Sequence, residues 1–166
     1  MVITYIITGA LILLSLLIQG HSSFDVLRLA GVKPDILFVS IVYFSYSFGS
    51  FYGGVTGFLS GLLHDASSNS PLGLLAFPKM LLGFIIGMYG RSILKENILT
   101  ITLLLFIASL AKGFITILFC YIFHKASLSD IITLILPESF YNALIAPPIF
   151  FLYDKIFKEA LSRESY

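Results

Sequence analysis

Long, predominantly apolar segments alternate with short polar connections along this chain. The apolar segments cover residues 2–18, 36–63, 73–89, 98–123 and 137–157. A helix needs about 17–25 such residues to cross the hydrocarbon core of a bilayer, so four of the five segments each predict one membrane helix. The segment 36–63 is different, because as one straight helix it would measure about 42 Å against a core of about 30 Å.

The segment 36–63 contains a glycine-rich cluster near its middle. The run Phe48–Gly54 includes three glycines, and such clusters interrupt helices. We therefore predict two short helices, at 36–48 and 51–64. The chain then forms six helices in a single multi-pass domain over residues 1–166, which is an all-α integral membrane bundle.

Two polar stretches and three prolines modify this pattern. Residues 21–35 and 124–135 mix polar and apolar positions and predict short helices at the membrane surface. Pro137 followed by Glu138 predicts the start of the last helix, because proline suits the first helical position and an acid suits the positive end of the helix dipole. The Pro147–Pro148 pair is expected to interrupt the same helix.

Composition supports a membrane protein and excludes other classes. The 166 residues are 58% hydrophobic and 11% charged, whereas soluble domains average about 25% charged residues. A net charge of +1 without a basic stripe gives nucleic-acid binding no electrostatic basis. Cys120 is the only cysteine, so an intramolecular disulfide and a cysteine-based metal site are both impossible.

The distribution of Lys and Arg predicts the orientation of the bundle. With six helices, both termini share one side of the membrane. That side carries five Lys and Arg residues (Arg91, Lys95, Lys155, Lys158 and Arg163) and the other carries three (Arg28, Lys33 and Lys125). Cytoplasmic segments are the richer in such residues, so the termini are predicted to be cytoplasmic.

Two lysines lie inside apolar segments where a bilayer would exclude charge, Lys79 and Lys112. A lysine at the centre of a membrane helix costs about 2.5–3.5 kcal/mol on insertion scales, so each is expected to face a carboxylate, water or protein. The predicted topology places Asp65 and Glu138 in the same outer half. These groups would form either buried ion pairs that fix helix register or a polar site for a ligand or partner. Which acid pairs with which lysine is left open.

Other polar residues have weaker implications. Asn142 follows Glu138 by one helical turn, so the two share a face, and an intramembrane Asn often bridges helices. His64 beside Asp65 suggests a general base, but no Ser or Cys nucleophile has a defined spacing to it and no paired histidines suggest a metal. We predict a protein without catalytic residues, metal or cofactor.

Glycines recur every four residues in two helices. Gly53, Gly57 and Gly61 do so in the third, and Gly83 and Gly87 in the fourth. This spacing leaves a groove that another helix can approach closely. The groove would serve either packing within the bundle or docking of a partner's helix.

A motif at residues 57–73 resembles a known family. The sequence GFLSGLLHDASSNSPLG is similar to the GxxxGLxxDxxSxxPLG pattern of the rod shape-determining protein MreD. Two further segments are similar to the same family, namely Lys33–Asp35 before an apolar run, and Pro137–Pro148 with the sequence PESFYNALIAPP. The resemblance as a whole extends in order from Lys33 to the end of the chain.

The resemblance implies a non-enzymatic component of the cell-elongation machinery in the bacterial cytoplasmic membrane. It implies six helices arranged as in the substrate-binding membrane subunits of ECF transporters. The implied partners are MreC, and through it MreB, RodA and a class B penicillin-binding transpeptidase, besides membrane lipid. The matched motif positions are Asp35, Asp65, Pro71, Gly73, Glu138, Asn142 and Pro147, whereas Lys79 and Lys112 lie outside the pattern.

Two functions follow as hypotheses. In the first, the bundle is a scaffold that binds MreC, couples the cytoskeleton to peptidoglycan synthesis and so regulates rod cell shape, with a partner helix docked on the glycine groove. In the second, it is a small-molecule-binding subunit of an ECF-type transporter. The predicted interaction residues are Asp35, Asp65, Lys79, Lys112, Glu138 and Asn142.

Overall fold

The protein is all-helical. A computed structural model describes residues 2–21, 31–68, 70–93, 97–122 and 128–164, and these contain six helices and no strand. The helices are α1 (Val2–Gly20), α2 (Ile36–Phe48), α3 (Ser50–Ser67), α4 (Ala76–Ile93), α5 (Ile98–Ile122) and α6 (Leu128–Glu164). The predicted all-α class is confirmed. Most of the predicted surface stretch at 21–35, and residues 123–127 of the second, lie outside the described residues.

Within these described ranges, two helices are long and apolar enough to cross a membrane: α5, and the part of α6 between Thr133 and Phe157. Shorter apolar helices cover Thr4–Gly20, Ile36–Phe48 and Ala76–Tyr89. Large apolar side chains cover the outer surface of the long helices, as Leu103, Ile107, Phe114 and Leu118 do on α5. Such a surface suits hydrocarbon rather than water.

The break within the long apolar segment occurs at Gly49. α2 ends at Phe48 and α3 begins at Ser50. Gly49 has φ 94°, and its N–H donates to the carbonyl oxygen of Ser45 at 3.0 Å. Only glycine adopts such a conformation at little cost, so this residue lets the chain change direction between two helices with no intervening loop.

α6 differs from the prediction. We expected a start at Pro137, an interruption at Pro147–Pro148 and an end near 157, but one helix runs continuously from Leu128 to Glu164 and includes all three prolines. A proline inside a helix removes one backbone hydrogen bond and its ring crowds the carbonyl four residues earlier, but the rest of the backbone can stay helical. In apolar surroundings the remaining backbone groups gain most by bonding within the helix, which keeps the helix intact on both sides.

α2 is the central helix of the bundle and contacts α1, α3, α4 and α6. Its side chains from Leu37 to Phe44 are completely buried, including those that point in opposite directions. The sequence ILFVSIVYFSYSF explains this position, because a helix that is apolar on all faces is stable only inside a structure.

Aromatic rings join the end of α2 to the second half of α6. The ring centroid of Tyr43 lies 5.1 Å from those of Phe150 and Tyr153, and Phe44 stacks on Tyr153 at 5.7 Å. The hydroxyl of Tyr43 donates to Asp154 at 2.9 Å. This aromatic cluster fixes one end of the bundle.

The glycines of α3 and α4 lie where these two helices pass each other. A Cβ atom added at Gly57 would lie 2.5 Å from the carbonyl oxygen of Lys79, and one added at Gly61 or Gly83 would overlap the facing backbone of the other helix. The glycine groove therefore receives α4 of the same chain. A partner's helix cannot occupy it, so the docking hypothesis of the sequence analysis is wrong for this surface.

The close approach of α3 and α4 generates a prediction. Gly57→Ala should lower the free energy of unfolding by about 1–3 kcal/mol, the usual cost of overpacking, because the new methyl group meets backbone atoms that cannot rotate away. Gly54→Ala on the same helix is the matched control, since its Cβ would lie 3.6 Å from Phe84. Unfolding of both variants in detergent measures the difference, and equal stability of the two would contradict the packing described.

Candidate functional site

Asp35 lies at the centre of a polar cluster between the helices. It precedes α2, and its Oδ1 accepts the N–H of Phe38 at 2.9 Å, which caps the helix. The same oxygen accepts a hydrogen bond from Nε2 of Gln19, at the end of α1, at 3.3 Å. The backbone N–H of Asp35 donates to Oδ1 of Asn142 on α6 at 2.7 Å. One residue thus ties three helices together.

The second carboxylate oxygen of Asp35 forms ion pairs with both buried lysines. Its Oδ2 lies 2.7 Å from Nζ of Lys112 and 3.3 Å from Nζ of Lys79. Lys112 also contacts Oε1 of Glu138, and its ammonium lies 4.9 Å from the ring centroid of Phe38. Lys79 is 1% exposed and Lys112 is 7% exposed. The partners that the sequence left open are therefore Asp35 for both lysines, and Glu138 for Lys112.

Lys79 has a second partner in His64, near the end of α3. Its Nζ lies 2.6 Å from Nδ1 of the imidazole. An ammonium only donates hydrogen bonds, so Nδ1 is the acceptor and the neutral ring carries its proton on Nε2. His64 is thus a member of the charge cluster, which comprises Asp35, His64, Lys79, Lys112 and Glu138.

Asp65 is completely buried but does not belong to the charge cluster. Its two carboxylate oxygens accept the backbone N–H groups of Gly73 and Leu75, each at 2.9 Å, and of Ala76 at 3.2 Å. These are donors at the start of α4, which would otherwise lack partners. The expectation that Asp65 pairs with an intramembrane lysine is wrong. The acid instead fixes the turn that leads into α4.

Asn142 on α6 forms hydrogen bonds with Asp35 of the cluster and with Ser109 on α5. Its Oδ1 accepts the N–H of Asp35, and its Nδ2 donates to Oγ of Ser109 on α5 at 3.1 Å. The side chain is completely buried. Glu138 lies one turn earlier on the same face, so two consecutive turns of α6 contact the cluster. Asn142 therefore bridges helices.

The charges within the cluster balance, so that the site as a whole is neutral. The cluster combines two carboxylates with two ammonium groups. Asp35 lies between the ammonium groups of Lys112 and Lys79, and their proximity favours its ionised form. Mutual neutralisation is essential, because an unpaired charge in such a place costs several kcal/mol.

A cavity of about 480 Å³ adjoins the charge cluster. Asp35, His64, Lys112 and Glu138 form part of its wall, together with Gln19. Among the side chains that the structure describes, no group of three or more His, Cys, Asp or Glu is arranged to hold a metal ion. The polar groups of the wall are thus concentrated on the side of the charge cluster.

Several residues of the site were not identified from the sequence. Gln19 and Ser109 are single polar residues in or at the end of apolar helices, a signal that many membrane helices share. The pairing of His64 with Lys79 joins residues that are 15 positions apart on two different helices. Asp35 was identified only through the resemblance, because its position at a helix start is compatible with simple capping.

The fold and the site together define an all-helical protein that has two helices of membrane-crossing length and a buried network of charges. The family model for the rod shape-determining protein MreD matches residues 1–159 of the chain. The chain belongs to the MreD family, as its motifs had indicated. The family assigns it a role in rod shape determination.

No curated protein and no solved structure matches the chain significantly. The comparisons therefore give no support to the alternative of an ECF-type transporter subunit. Lys79, one of the predicted interaction residues, contacts His64 and Asp35 and is not part of the described cavity wall.

The ion pairs generate a prediction about stability. Lys112→Met should lower the free energy of unfolding by about 3–5 kcal/mol, because it leaves Asp35 and Glu138 with one ammonium group between them. Adding Glu138→Gln or Asp35→Asn should restore part of that loss, as measured by unfolding in detergent. Asp65→Asn is the matched control and should restore nothing. Rescue by Asp65→Asn alone would contradict the pairing described.

The capping role of Asp65 generates a separate prediction. Asp65→Ala should lower the free energy of unfolding by about 1–3 kcal/mol for each buried N–H group that it leaves without an acceptor at the start of α4. Asp154→Ala, which removes a largely exposed carboxylate that accepts one hydrogen bond from Tyr43, should cost less. Hydrogen exchange at Leu75 and Ala76 should accelerate in the Asp65 variant only. Unchanged exchange there would refute the capping role.

Proposed function

We propose that this protein is a non-enzymatic, multi-pass scaffold in the bacterial cytoplasmic membrane that takes part in rod shape determination by binding MreC. Membership of the MreD family supports the shape role. Two helices of membrane-crossing length and their apolar outer surfaces support the location. Through MreC, the scaffold would couple MreB filaments to RodA and a class B penicillin-binding transpeptidase.

The two ends of the bundle support an arrangement with six spans. Tyr5 of α1 stacks on Tyr52 at 5.4 Å, and Phe157 of α6 packs against Phe48 at the same centroid distance. The start of α1 and the later part of α6 therefore lie at the aromatic end. The charge cluster lies at the opposite end. If the termini are cytoplasmic, the charge cluster and its cavity belong to the outer half of the membrane.

The charge cluster carries the scaffold proposal. Its acids and bases neutralise each other across α2, α4, α5 and α6, and Gln19 adds α1. A group whose charge is held in this way is poorly placed to transfer protons to a substrate, but it fixes helix positions firmly. A fixed arrangement presents a constant outer surface, which is what a docking platform for another membrane protein requires.

Cysteine cross-linking tests whether MreC docks on the apolar outer surface of the bundle. In a Cys120→Ser background, single cysteines would replace Phe58 on α3, Leu118 on α5 or Phe151 on α6, which are 42%, 49% and 75% exposed. After co-expression with MreC and treatment with a photoreactive maleimide, we expect a covalent adduct with MreC from at least one of these faces.

Ser109→Cys is the buried control, at 2% exposure in the parent residue, and should give no adduct. If none of the three exposed cysteines reacts with MreC in membranes that contain both proteins, the proposed partner is wrong. The role in rod shape, which rests on the family, would remain.

A further inference from the structure

The cavity beside the charge cluster has the size of a ligand site. Its volume of about 480 Å³ falls in the range of about 300–1,000 Å³ that is typical of small-molecule pockets. The wall is mostly apolar, with Val32, Leu75, Leu134 and Ile135 contributing, and a few polar groups converge on it. This combination is typical of a site that orients one ligand.

Most charged groups in the cavity wall already have partners within the protein. Asp35 is shared by two ammonium groups, and Lys112 is shared by two carboxylates. Lys33 also lines the cavity and is engaged with another group. Glu138 is different, because its contact with Lys112 is made by Oε1 and its side chain remains 24% exposed. The carboxylate of Glu138 is therefore an acceptor within reach of a ligand.

His64 supplies the complementary donor. Because Nδ1 accepts a hydrogen bond from Lys79, the ring proton is on Nε2, and the half-buried imidazole lines the cavity. Glu138 from α6 and His64 from α3 thus line the same cavity. A ligand that satisfies both must itself carry a donor and an acceptor.

We propose that this cavity binds a neutral amide group, whose N–H donates to Glu138 and whose carbonyl oxygen accepts from His64. An amide fits better than a hydroxyl because its donor and acceptor lie on different atoms and point in opposite directions, as contact with two helices requires. A neutral group fits better than an ion, since the cluster of two ammonium groups and two carboxylates offers no net countercharge for a desolvated ion. The site is independent of the scaffold role.

Three matched probes test the ligand class on the purified full chain. N-acetylalanine methylamide is neutral, alanine methylamide carries an ammonium group, and N-acetylalanine carries a carboxylate. Saturation-transfer NMR should show binding of the neutral probe and at least about tenfold weaker binding of both ions, because each ion would also have to bring a desolvated charge beside a cluster that offers no net countercharge. The neutral polyol inositol should also bind more weakly.

A length series distinguishes a free small amide from an extended stretch of a partner chain. A capped trialanine that binds more tightly than the capped single alanine would identify a peptide as the source. Weaker binding of the longer probe would identify a small molecule. Both results support an amide site.

Two threonines on α5 provide matched variants. Thr116 lines the cavity, whereas Thr102 does not, and each donates to the carbonyl oxygen four residues earlier at 2.9 Å. Thr116→Phe should abolish binding of the neutral probe, and Thr102→Phe should leave it unchanged, with unfolding curves confirming that both variants fold. The proposal is overturned if the neutral probe does not bind the wild-type protein, if an ion or inositol binds as tightly, or if Thr116→Phe binds like the wild type.

Discussion

The carboxylate of Asp35, buried between two ammonium groups, is the interaction on which this structure depends. Lys79 and Lys112 enter the bundle from different helices, and neither would be tolerated in an apolar interior alone. Asp35 pairs with both of them, caps α2 through Oδ1, and donates its backbone N–H to Oδ1 of Asn142. Glu138 supplies the second negative charge. The cluster is therefore favourable as a whole, although each member by itself would be costly.

Packing of α3 against α4 makes this arrangement possible. Gly57 faces the carbonyl group of Lys79 itself, so the absence of a side chain at Gly57 lets the lysine backbone approach α3. His64, at the end of α3, and Asp35 then both come within reach of the lysine ammonium group. Asp65 fixes the turn between the same two helices through the first N–H groups of α4. The close packing at Gly57 and the hydrogen bonds of Asp65 thus act on the same pair of helices, α3 and α4. Together they position the ammonium group of Lys79.

The two ends of the bundle differ in the side chains that hold them together. Stacked aromatic rings hold one end and leave Phe151 and Leu152 exposed on α6. The opposite end combines the charge cluster with a partly polar cavity. The described structure thus combines an apolar circumference with a partly polar recess at one end.

Local sequence was sufficient for the helical class and for the break at Gly49, because both depend on interactions among residues close together in the chain. It also identified Lys79 and Lys112 as anomalous, since the cost of a charge in an apolar segment is independent of the fold. It could not choose their partners: it offered Asp65 and Glu138, whereas Asp35, the acid that both lysines contact, is 77 residues from Lys112 in the chain. It also misjudged Pro137, because the local cost of a proline is outweighed where the surroundings favour an unbroken helix. Pairing depends on which helix faces meet, and that choice is made by the packing of all six helices together.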